Sequence, residues 1–307
     1  RERNLKIGIF SEPFNASLDE IKQEVAHAQA SGAATYWLAQ IWRYDALTLI
    51  PSLAQIAPDV EFASGVVASY LRHPMTLASQ ALTTNVLTNG KFTLGVGLMH
   101  KPLIEGMFEM SFDRPAKHMR EYLDILLPLV QQQEVDSSGA TVSYHGGMEV
   151  PGATPCQVML AALGPQMLKL CGAKTQGTIT WMTGFETIKD YIRPNLFAAA
   201  EQAGRSETRI AALLPIVITD DEAAGRALAS MQFEIYGTMP SYRAMLDKSG
   251  LAEPSDYVLI GNEDKVAESL RHYAEAGVTD CGLLIAGSGD SKARGLDFVA
   301  SLKGHLT

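Results

Sequence analysis

The chain has little cysteine and no excess of positive charge. Its 307 residues include three cysteines, Cys156, Cys171 and Cys281. A set that is sparse, odd in number and widely spaced gives neither a disulfide framework nor a CxxC metal motif. The formal net charge of -9 at pH 7 disfavours nonspecific binding to nucleic acid, because such binding needs a basic surface.

Long apolar segments are missing as well. No run approaches the ~18 uncharged residues of a membrane-spanning helix, so we expect no membrane partner. The first residues, RERNLKIGIF, lead directly into a predicted strand and contain no apolar core of a signal peptide. Together with the low cysteine content, this pattern predicts a cytoplasmic protein.

Motifs of several enzyme classes are also absent from the sequence. We find no His/Asp/Glu cluster with the spacing of metal ligands, so neither a metal nor metal-assisted hydrolysis is expected. No GxSxG elbow or Cys/His pair suggests acyl transfer. No pair of carboxylates suggests glycoside hydrolysis.

What the sequence does contain is a regular alternation of short apolar segments with helical ones. The predicted strands are Lys6–Phe10, Ala34–Ala39, Phe62–Val67, Phe92–Gly97, Gln157–Ala162, Thr178–Met182, Arg209–Thr219 and Asp280–Ala286. Their continuous apolar character is typical of parallel strands covered on both faces. Eight such units in a chain of 307 residues predict one TIM (β/α)8 barrel domain over residues 1–307. A doubly wound sheet is less favoured, because Phe10-Ser11-Glu12-Pro13 is not a glycine fingerprint.

One segment interrupts this alternation. Residues 134–155, between the fourth predicted helix (which begins at Pro115) and the fifth strand, contain Ser-Ser-Gly, Gly-Gly and Pro-Gly turns. Within it, Thr141–Tyr144 is able to pair as a hairpin strand. An insertion of ~20 residues in a compact fold is typical of a lid or binding segment, so we expect it to cover the substrate.

The barrel places its active site at the C-terminal ends of the strands. The residues that follow the strands are mostly aromatic, apolar or glycine, with few carboxylates. They include Ser11, Glu12, Gln40, Trp42, Tyr70, Leu98, Met99, His100, Leu163, Gly164 and Thr183. The C-terminal end of the barrel, called the mouth below, is therefore expected to be wide and largely neutral. Such a site suits a flat ring system that supplies the chemistry as a cofactor.

The chain resembles the luciferase-like monooxygenase superfamily, in particular its coenzyme F420-dependent branch and an actinobacterial subgroup of it. The resemblance extends over nearly the whole chain. It rests on Gly65-Val66, Arg72-His73-Pro74, Phe92–Gly97, Arg114-Pro115, Ala162–Gly172, Ile260-Gly261 and Ala276–Asp280, with Trp37–Gln40 and Tyr44–Leu47 marking the subgroup. Each segment is weak alone, whereas their order and spacing together are specific.

This resemblance implies an oxidoreductase that binds the deazaflavin coenzyme F420. In the family, a non-proline cis peptide, here Gly65-Val66, presses on the central ring of the cofactor. The cofactor-binding residues implied are Gln40, Gly65, Val66, Ala68, Gly97, Leu98, Met99, His100, Leu163, Gly164 and Gln166. We expect Trp42 and Tyr70 to line the substrate pocket, and a homodimer to form through the second and third helices.

The sequence departs from the sugar-phosphate dehydrogenase of this family at one place. That enzyme has an Asp-His pair after strand two and a carboxylate after strand four, where this chain has Gln40, Ile41 and His100. Loss of the proton-accepting pair favours a reductase, which transfers hydride from the reduced deazaflavin to a C=C or C=N bond of a small organic substrate.

His100 is the best candidate for the catalytic proton donor, because imidazole titrates near neutrality, although the default role of such a residue is a polar contact, for example with a cofactor phosphate. Two alternatives to the reductase remain. One is an FMN-dependent luciferase-like monooxygenase, and the other is a barrel that binds a flavin or deazaflavin without catalysis.

Overall fold

A closed barrel of parallel strands forms the centre of the computed structural model, which describes residues 4–14, 16–40, 42–206 and 208–306. Within these ranges the barrel has eight strands: β1 (Leu5–Ser11), β2 (Thr35–Leu38), β3 (Glu61–Ser64), β4 (Phe92–Gly97), β5 (Gln157–Ala161), β6 (Gly177–Trp181), β7 (Arg209–Ile218) and β8 (Asp280–Ile285). Each strand pairs with the next in parallel, and β8 pairs with β1. The predicted (β/α)8 barrel is therefore confirmed.

Helices surround the barrel. They are α1 (Leu18–Ser31), α2 (Ala46–Ala54), α3 (Pro74–Leu87), α4 (Lys101–Gly106), α5 (Pro115–Val130), α6 (Pro165–Lys174), α7 (Arg193–Gln202), α8 (Glu222–Phe233), α9 (Pro240–Ser249), α10 (Glu263–Glu275) and α11 (Gly289–Ser301). A helical segment over residues 185–192 leads into α7. Across the described residues, no helix combines the length and apolarity needed to cross a membrane.

The sequence determines the ends of α1 directly. The Ser17 hydroxyl accepts a hydrogen bond from the backbone N–H of Glu20, and the Glu20 carboxylate accepts one from the N–H of Ser17 at 2.7 Å. This reciprocal pair satisfies two donors that the first turn leaves free. At the other end, Gly32 adopts a φ of +69°, a left-handed conformation that costs glycine little.

The barrel interior is filled by apolar side chains from several strands. Phe10, Trp37, Ala63, Met159 and Leu213 belong to this inner cluster and are almost fully buried. A second, larger cluster lies between the strands and the helices. The barrel is thus a packed core, and any bound molecule must lie at one of its ends.

A charged network closes the N-terminal end of the barrel. Arg209, the first residue of β7, donates two hydrogen bonds to Asp280 at 3.2 and 2.8 Å. It also lies within 3.2 Å of Glu61 and 3.0 Å of Gln157, which begin β3 and β5. These residues join four strands at the end opposite the site, so we assign them to stability rather than to chemistry.

Within the described residues, three short strands join the barrel sheet in addition to these eight. Val67–Ala68 resumes the path of β3 and pairs with β4, so the predicted strand Phe62–Val67 is interrupted at Gly65-Val66. Leu259–Gly261 pairs with the end of β7, and His305–Leu306 pairs antiparallel with the start of β1. The predicted helix Ala46–Ala57 ends at Ala54.

The insertion over residues 134–155 forms an antiparallel hairpin of Val135–Ser138 with Ser143–Gly146. The hairpin turn is attached to α5, because the N–H and hydroxyl of Thr141 both donate to Glu121, at 2.8 and 2.7 Å. One hairpin strand also reaches the start of α3, where a His73 ring nitrogen lies 3.3 Å from the Ser143 carbonyl. These contacts place it beside the mouth, and its role as a lid stays a prediction.

Candidate active site

The C-terminal ends of β3 and β4 form a smooth, glycine-lined surface. The Gly65-Val66 peptide is cis, as the sequence resemblance predicts. Ala68 pairs with Gly97 in the neighbouring strand. A Cβ on Gly97 would lie 2.7 Å from Val66 Cγ2, so glycine at this position allows the Val66 side chain to pack against the end of β4.

The barrel interior supports this surface from below. A Cβ on Gly65 would lie 3.2 Å from Leu213 Cδ1 and 3.3 Å from Phe10 Cε2. Both side chains belong to the buried inner cluster. The backbone at Gly65 therefore rests on packed side chains and has little freedom to move into the barrel.

The loops after β4 and β5 continue the same edge of the mouth. Leu98, Met99 and His100 are half-buried, and Met99 has a φ of +68°. Gly164 precedes α6 with no side-chain cap, and no atom lies within 4 Å of the position its Cβ would take. The backbone N–H groups in the first turn of α6 are available to an anion, except at Pro165, which has none.

Gln166 is exposed in the first turn of α6, and Leu163 is half-buried just before it. The structure thus brings the predicted cofactor residues of β3, β4 and β5 to three adjacent strand ends. Their role in binding stays a prediction.

Gln40, at the end of β2, is engaged within its own loop. Its amide nitrogen donates to Asp45 at 2.9 Å, and its carbonyl oxygen accepts from the N–H of Ala46 at 3.1 Å. Burial alone would raise the pKa of Asp45, but the hydrogen bonds from Gln40 and Thr48, with Arg72 nearby, lower it. Ile41 lies outside the described residues.

The two predicted pocket residues occupy different surroundings. Trp42 is 44% exposed and lines a small cavity with Phe14 and Tyr44. Tyr70 is stacked between His118 and Phe112, with ring centroids 4.1 and 5.3 Å away. Its buried hydroxyl has no hydrogen-bond partner among the described residues, so a bound molecule at the mouth could supply one.

Glu12 is the residue to which the sequence assigned no role. It follows β1, and its Oε1 accepts a hydrogen bond of 3.1 Å from the hydroxyl of Tyr236. Burial raises the pKa of Glu12 to about 7, against the opposing effect of the Tyr236 hydroxyl. A carboxyl with this pKa is half protonated near neutrality and can both donate and accept a proton.

A series of packed aromatic rings connects Tyr236, the hydrogen-bond partner of this carboxyl, to the glycine-lined surface. The Trp181 ring lies 5.2 Å from Phe10, which underlies Gly65, and 5.8 Å from Tyr236. The Tyr242 ring lies 5.3 Å from Tyr236. Glu12 is therefore on the same side of the barrel as the cofactor residues predicted from the sequence.

His100 approaches the cluster from the loop after β4. Its ring centroid lies 5.6 Å from that of Tyr242. Burial lowers the pKa of His100, so at neutral pH the ring is largely uncharged and less able to donate a proton. Its role as proton donor stays a prediction, and Glu12 is a second candidate that the sequence did not reveal.

A weak sequence signal for Glu12 does exist. It is the first carboxylate after the first strand, at the end of the barrel where catalysis takes place. Its hydrogen-bond partner is 224 residues away along the chain. Neither that contact nor the burial could be inferred from local spacing.

Comparison with known proteins identifies the family. The model of the luciferase-like monooxygenase family matches residues 5–280. The chain belongs to this family. A Mycobacterium tuberculosis protein named as a coenzyme F420-dependent oxidoreductase is 24% identical, over 91% of this chain and 94% of that protein.

Solved structures of the family share the fold. The coenzyme F420-dependent tetrahydromethanopterin reductase of Methanopyrus kandleri has a TM-score of 0.82 and 20% identity, covering 96% of this chain and 97% of that one. An FMN complex of the 3,6-diketocamphane monooxygenase component from Pseudomonas putida has a TM-score of 0.77 and 16% identity, covering 99% and 98%. At these identities the likeness establishes the barrel, and the two cofactors are those of the compared proteins.

Proposed function

We propose that this member of the luciferase-like monooxygenase family is an F420-dependent reductase. It would transfer hydride from reduced deazaflavin to a C=C or C=N bond, with Glu12 supplying the proton. The observation that carries the proposal is the partly buried Glu12 carboxyl, hydrogen-bonded to Tyr236 and with a pKa of about 7, at the neutral aromatic mouth of the barrel.

The residues of the mouth fit a flat cofactor with an anionic tail. Gly65, Val66 and Gly97 form a smooth surface that suits the face of a ring system. The open backbone before α6 at Gly164 suits a phosphate or carboxylate. The unpartnered hydroxyl of Tyr70 offers one further hydrogen bond.

Reduction of a double bond needs one hydride and one proton. A bound, reduced deazaflavin would supply the hydride. Protonated Glu12 would give its proton to the other atom of the double bond, become a carboxylate, and regain a proton from solvent. Its pKa of about 7 suits this exchange, because a catalytic acid works best when its pKa is close to the working pH.

His100 is the competing proton donor. Its lowered pKa leaves less of the charged, proton-carrying form at neutral pH. It would be better suited to contact a cofactor or to pack against Tyr242. We therefore place Glu12 first and His100 second.

An FMN-dependent monooxygenase is the second candidate function, supported by the likeness to the FMN-containing structure. The two functions predict different behaviour of purified protein. A monooxygenase should bind FMN and consume oxygen when given reduced FMN, whereas a reductase should oxidise reduced deazaflavin in an oxygen-independent way when an acceptor is present.

The experiment begins with binding. Purified protein is titrated with oxidised coenzyme F420 and with FMN, and reduced coenzyme F420 is then mixed with a panel of enones and imines without oxygen. We expect tighter binding of F420 than of FMN, and loss of reduced cofactor with at least one acceptor. F420 binding weaker than ~100 μM, about -5.5 kcal/mol, would sink the proposal.

The matched variants are Glu12→Gln and His100→Asn. Glu12→Gln should keep cofactor binding and lower turnover by about a hundredfold or more, the usual contribution of a general acid. His100→Asn should lower it less. The reverse order would assign the proton to His100.

A further inference from the structure

Tyr236 connects the two sides of the mouth. It lies in a tight turn, Glu234–Thr238, between α8 and α9 in the chain that follows β7. Its hydroxyl reaches Glu12, in the loop after β1, at 3.1 Å. Its ring packs against Trp181 and Tyr242, with centroids 5.8 and 5.3 Å away.

We infer that Tyr236 is a positioning residue for Glu12. Docking of the segment 222–249 brings the Tyr236 hydroxyl to Glu12, and this contact orients the acidic proton of Glu12 toward the bound substrate. The inference rests on the proposed function. It adds a residue from a part of the chain that the sequence did not connect with chemistry.

The attachment of segment 222–249 supports a role for its middle. The segment is held within α8 by Ser230, 3.2 Å from Ser255, and at its C-terminal end by Ser249, 2.6 Å from Thr187 and 2.9 Å from Tyr257. Within the part of the chain that the structure describes, the bond from Tyr236 to Glu12 is the one side-chain hydrogen bond that joins the segment to the loops after β1 to β4.

The direction of this bond determines where the acidic proton lies. When Tyr236 donates to Oε1 of protonated Glu12, that oxygen acts as the carbonyl acceptor, so the proton resides on Oε2. Oε2 has no hydrogen-bond partner among the described residues, so it is the oxygen left to donate to a substrate. Without the hydroxyl, either oxygen could carry the proton, and fewer molecules would be aligned for transfer.

The other groups near Glu12 are neutral at pH 7. Burial, followed by the charge of Glu12, raises the pKa of both Tyr236 and Tyr242, so both stay protonated. His100 faces Tyr242, and burial lowers its pKa. Among these groups, Glu12 is therefore the one whose charge changes near pH 7.

Infrared spectroscopy of the cofactor-free protein tests the inference directly. The carbonyl stretch of a protonated carboxyl is identified as the band that the wild type shows and Glu12→Gln lacks. In Tyr236→Phe we expect this band to move to higher wavenumber, because its carbonyl oxygen loses a donor. We also expect it to persist to higher pH, because a donated hydrogen bond stabilises the carboxylate.

Tyr242→Phe is the matched control, since it removes a neighbouring hydroxyl that makes no hydrogen bond to Glu12, and the band should keep its position. An unchanged band in Tyr236→Phe, or equal shifts in both variants, would overturn the inference.

If Tyr236→Phe does not fold, hydrogen exchange at residues 234–238 gives the answer. Glu12→Gln, which keeps the acceptor, should retain protection, and Glu12→Ala should lose it; equal protection would refute docking through this bond.

Activity separates this inference from the proposed function. In the loaded enzyme, Tyr236→Phe should lower kcat by about tenfold or more with F420 affinity unchanged. If the wild type binds no deazaflavin, the proposed function fails, while the infrared result still decides how Tyr236 acts on Glu12. If Tyr236→Phe shows the expected shift of the carbonyl band but an unchanged kcat, the positioning role is refuted.

Discussion

Replacing Glu12 by glutamine should make the protein more stable at pH 8 relative to the wild type, although it removes the proposed catalytic acid. Burial raises the pKa of Glu12 from an ordinary 4.5 to about 7. Between these values the folded protein holds a proton that the unfolded chain has lost. The free energy of unfolding of the wild type therefore falls as the pH rises through this range.

The magnitude follows from the two pKa values. At ~1.4 kcal/mol for each pKa unit, the rise corresponds to about 3 kcal/mol, reached when the pH exceeds 7. Glutamine has no charge to bury at any pH, so the Glu12→Gln curve should lack this decline. For a chain of 307 residues, an unfolding entropy of about 2.1 cal/mol/K per residue converts this gain into roughly 5 °C at pH 8, and the gain fades toward pH 4.

Calorimetric melting of the wild type, Glu12→Gln and the control below from pH 3 to pH 8 is the assay. Glu20→Gln is a control of opposite sign. The backbone and side chain of Ser17 lower the pKa of Glu20, so this carboxylate stabilises the protein above its usual pKa and loses that effect as the pH falls. If the melting temperatures of the wild type and Glu12→Gln differ by the same amount at every pH, the raised pKa of Glu12 is refuted.

Three further substitutions test other parts of the molecule. Gly97→Ala should bring a Cβ to 2.7 Å from Val66 Cγ2, cost about 1–3 kcal/mol of stability and weaken F420 binding in a fluorescence titration. Gly164→Asp should cap α6 and occupy the N–H groups meant for an anion, so calorimetry should show unchanged or higher stability while F420 binding weakens; Gly164→Ala should bind normally. Arg209→Met should leave the Asp280 carboxylate buried without its partner and cost about 3–5 kcal/mol in denaturant unfolding, with F420 affinity unchanged.

Local patterns in the sequence were sufficient to predict the barrel. The apolar strands, the Ser17–Glu20 capping box and Gly32 act within a few residues, and each appears in the structure at the expected place. The interruption of the third strand and the pairing of Leu259–Gly261 with β7 depend on neighbours distant in sequence. The second and third helices as a dimer interface remain a prediction.

The site residues likewise divide into those that the local sequence reveals and those that depend on distant neighbours. Gly65, Gly97 and Gly164 are visible in the sequence because glycine marks places where a backbone must stay uncovered. The sequence shows Glu12 after the first strand but does not show that it can act as an acid near neutral pH, since its pKa depends on burial and on Tyr236. For that reason the sequence favoured His100, whose ordinary pKa is already near neutrality.

The arrangement of the mouth suggests why binding and proton transfer can be altered separately. The surface proposed to hold the cofactor is formed by the ends of β3 to β5, whereas Glu12 and Tyr236 come from the loops after β1 and β7. The two sides meet through Phe10 and Trp181, which pack below and between them. A change such as Gly97→Ala should therefore weaken F420 binding without moving the pKa of Glu12, and Tyr236→Phe should move that pKa without weakening binding. Measuring both quantities in both variants would show whether these two sides are independent, and a variant that changed both would place the coupling in the Phe10–Trp181 contact.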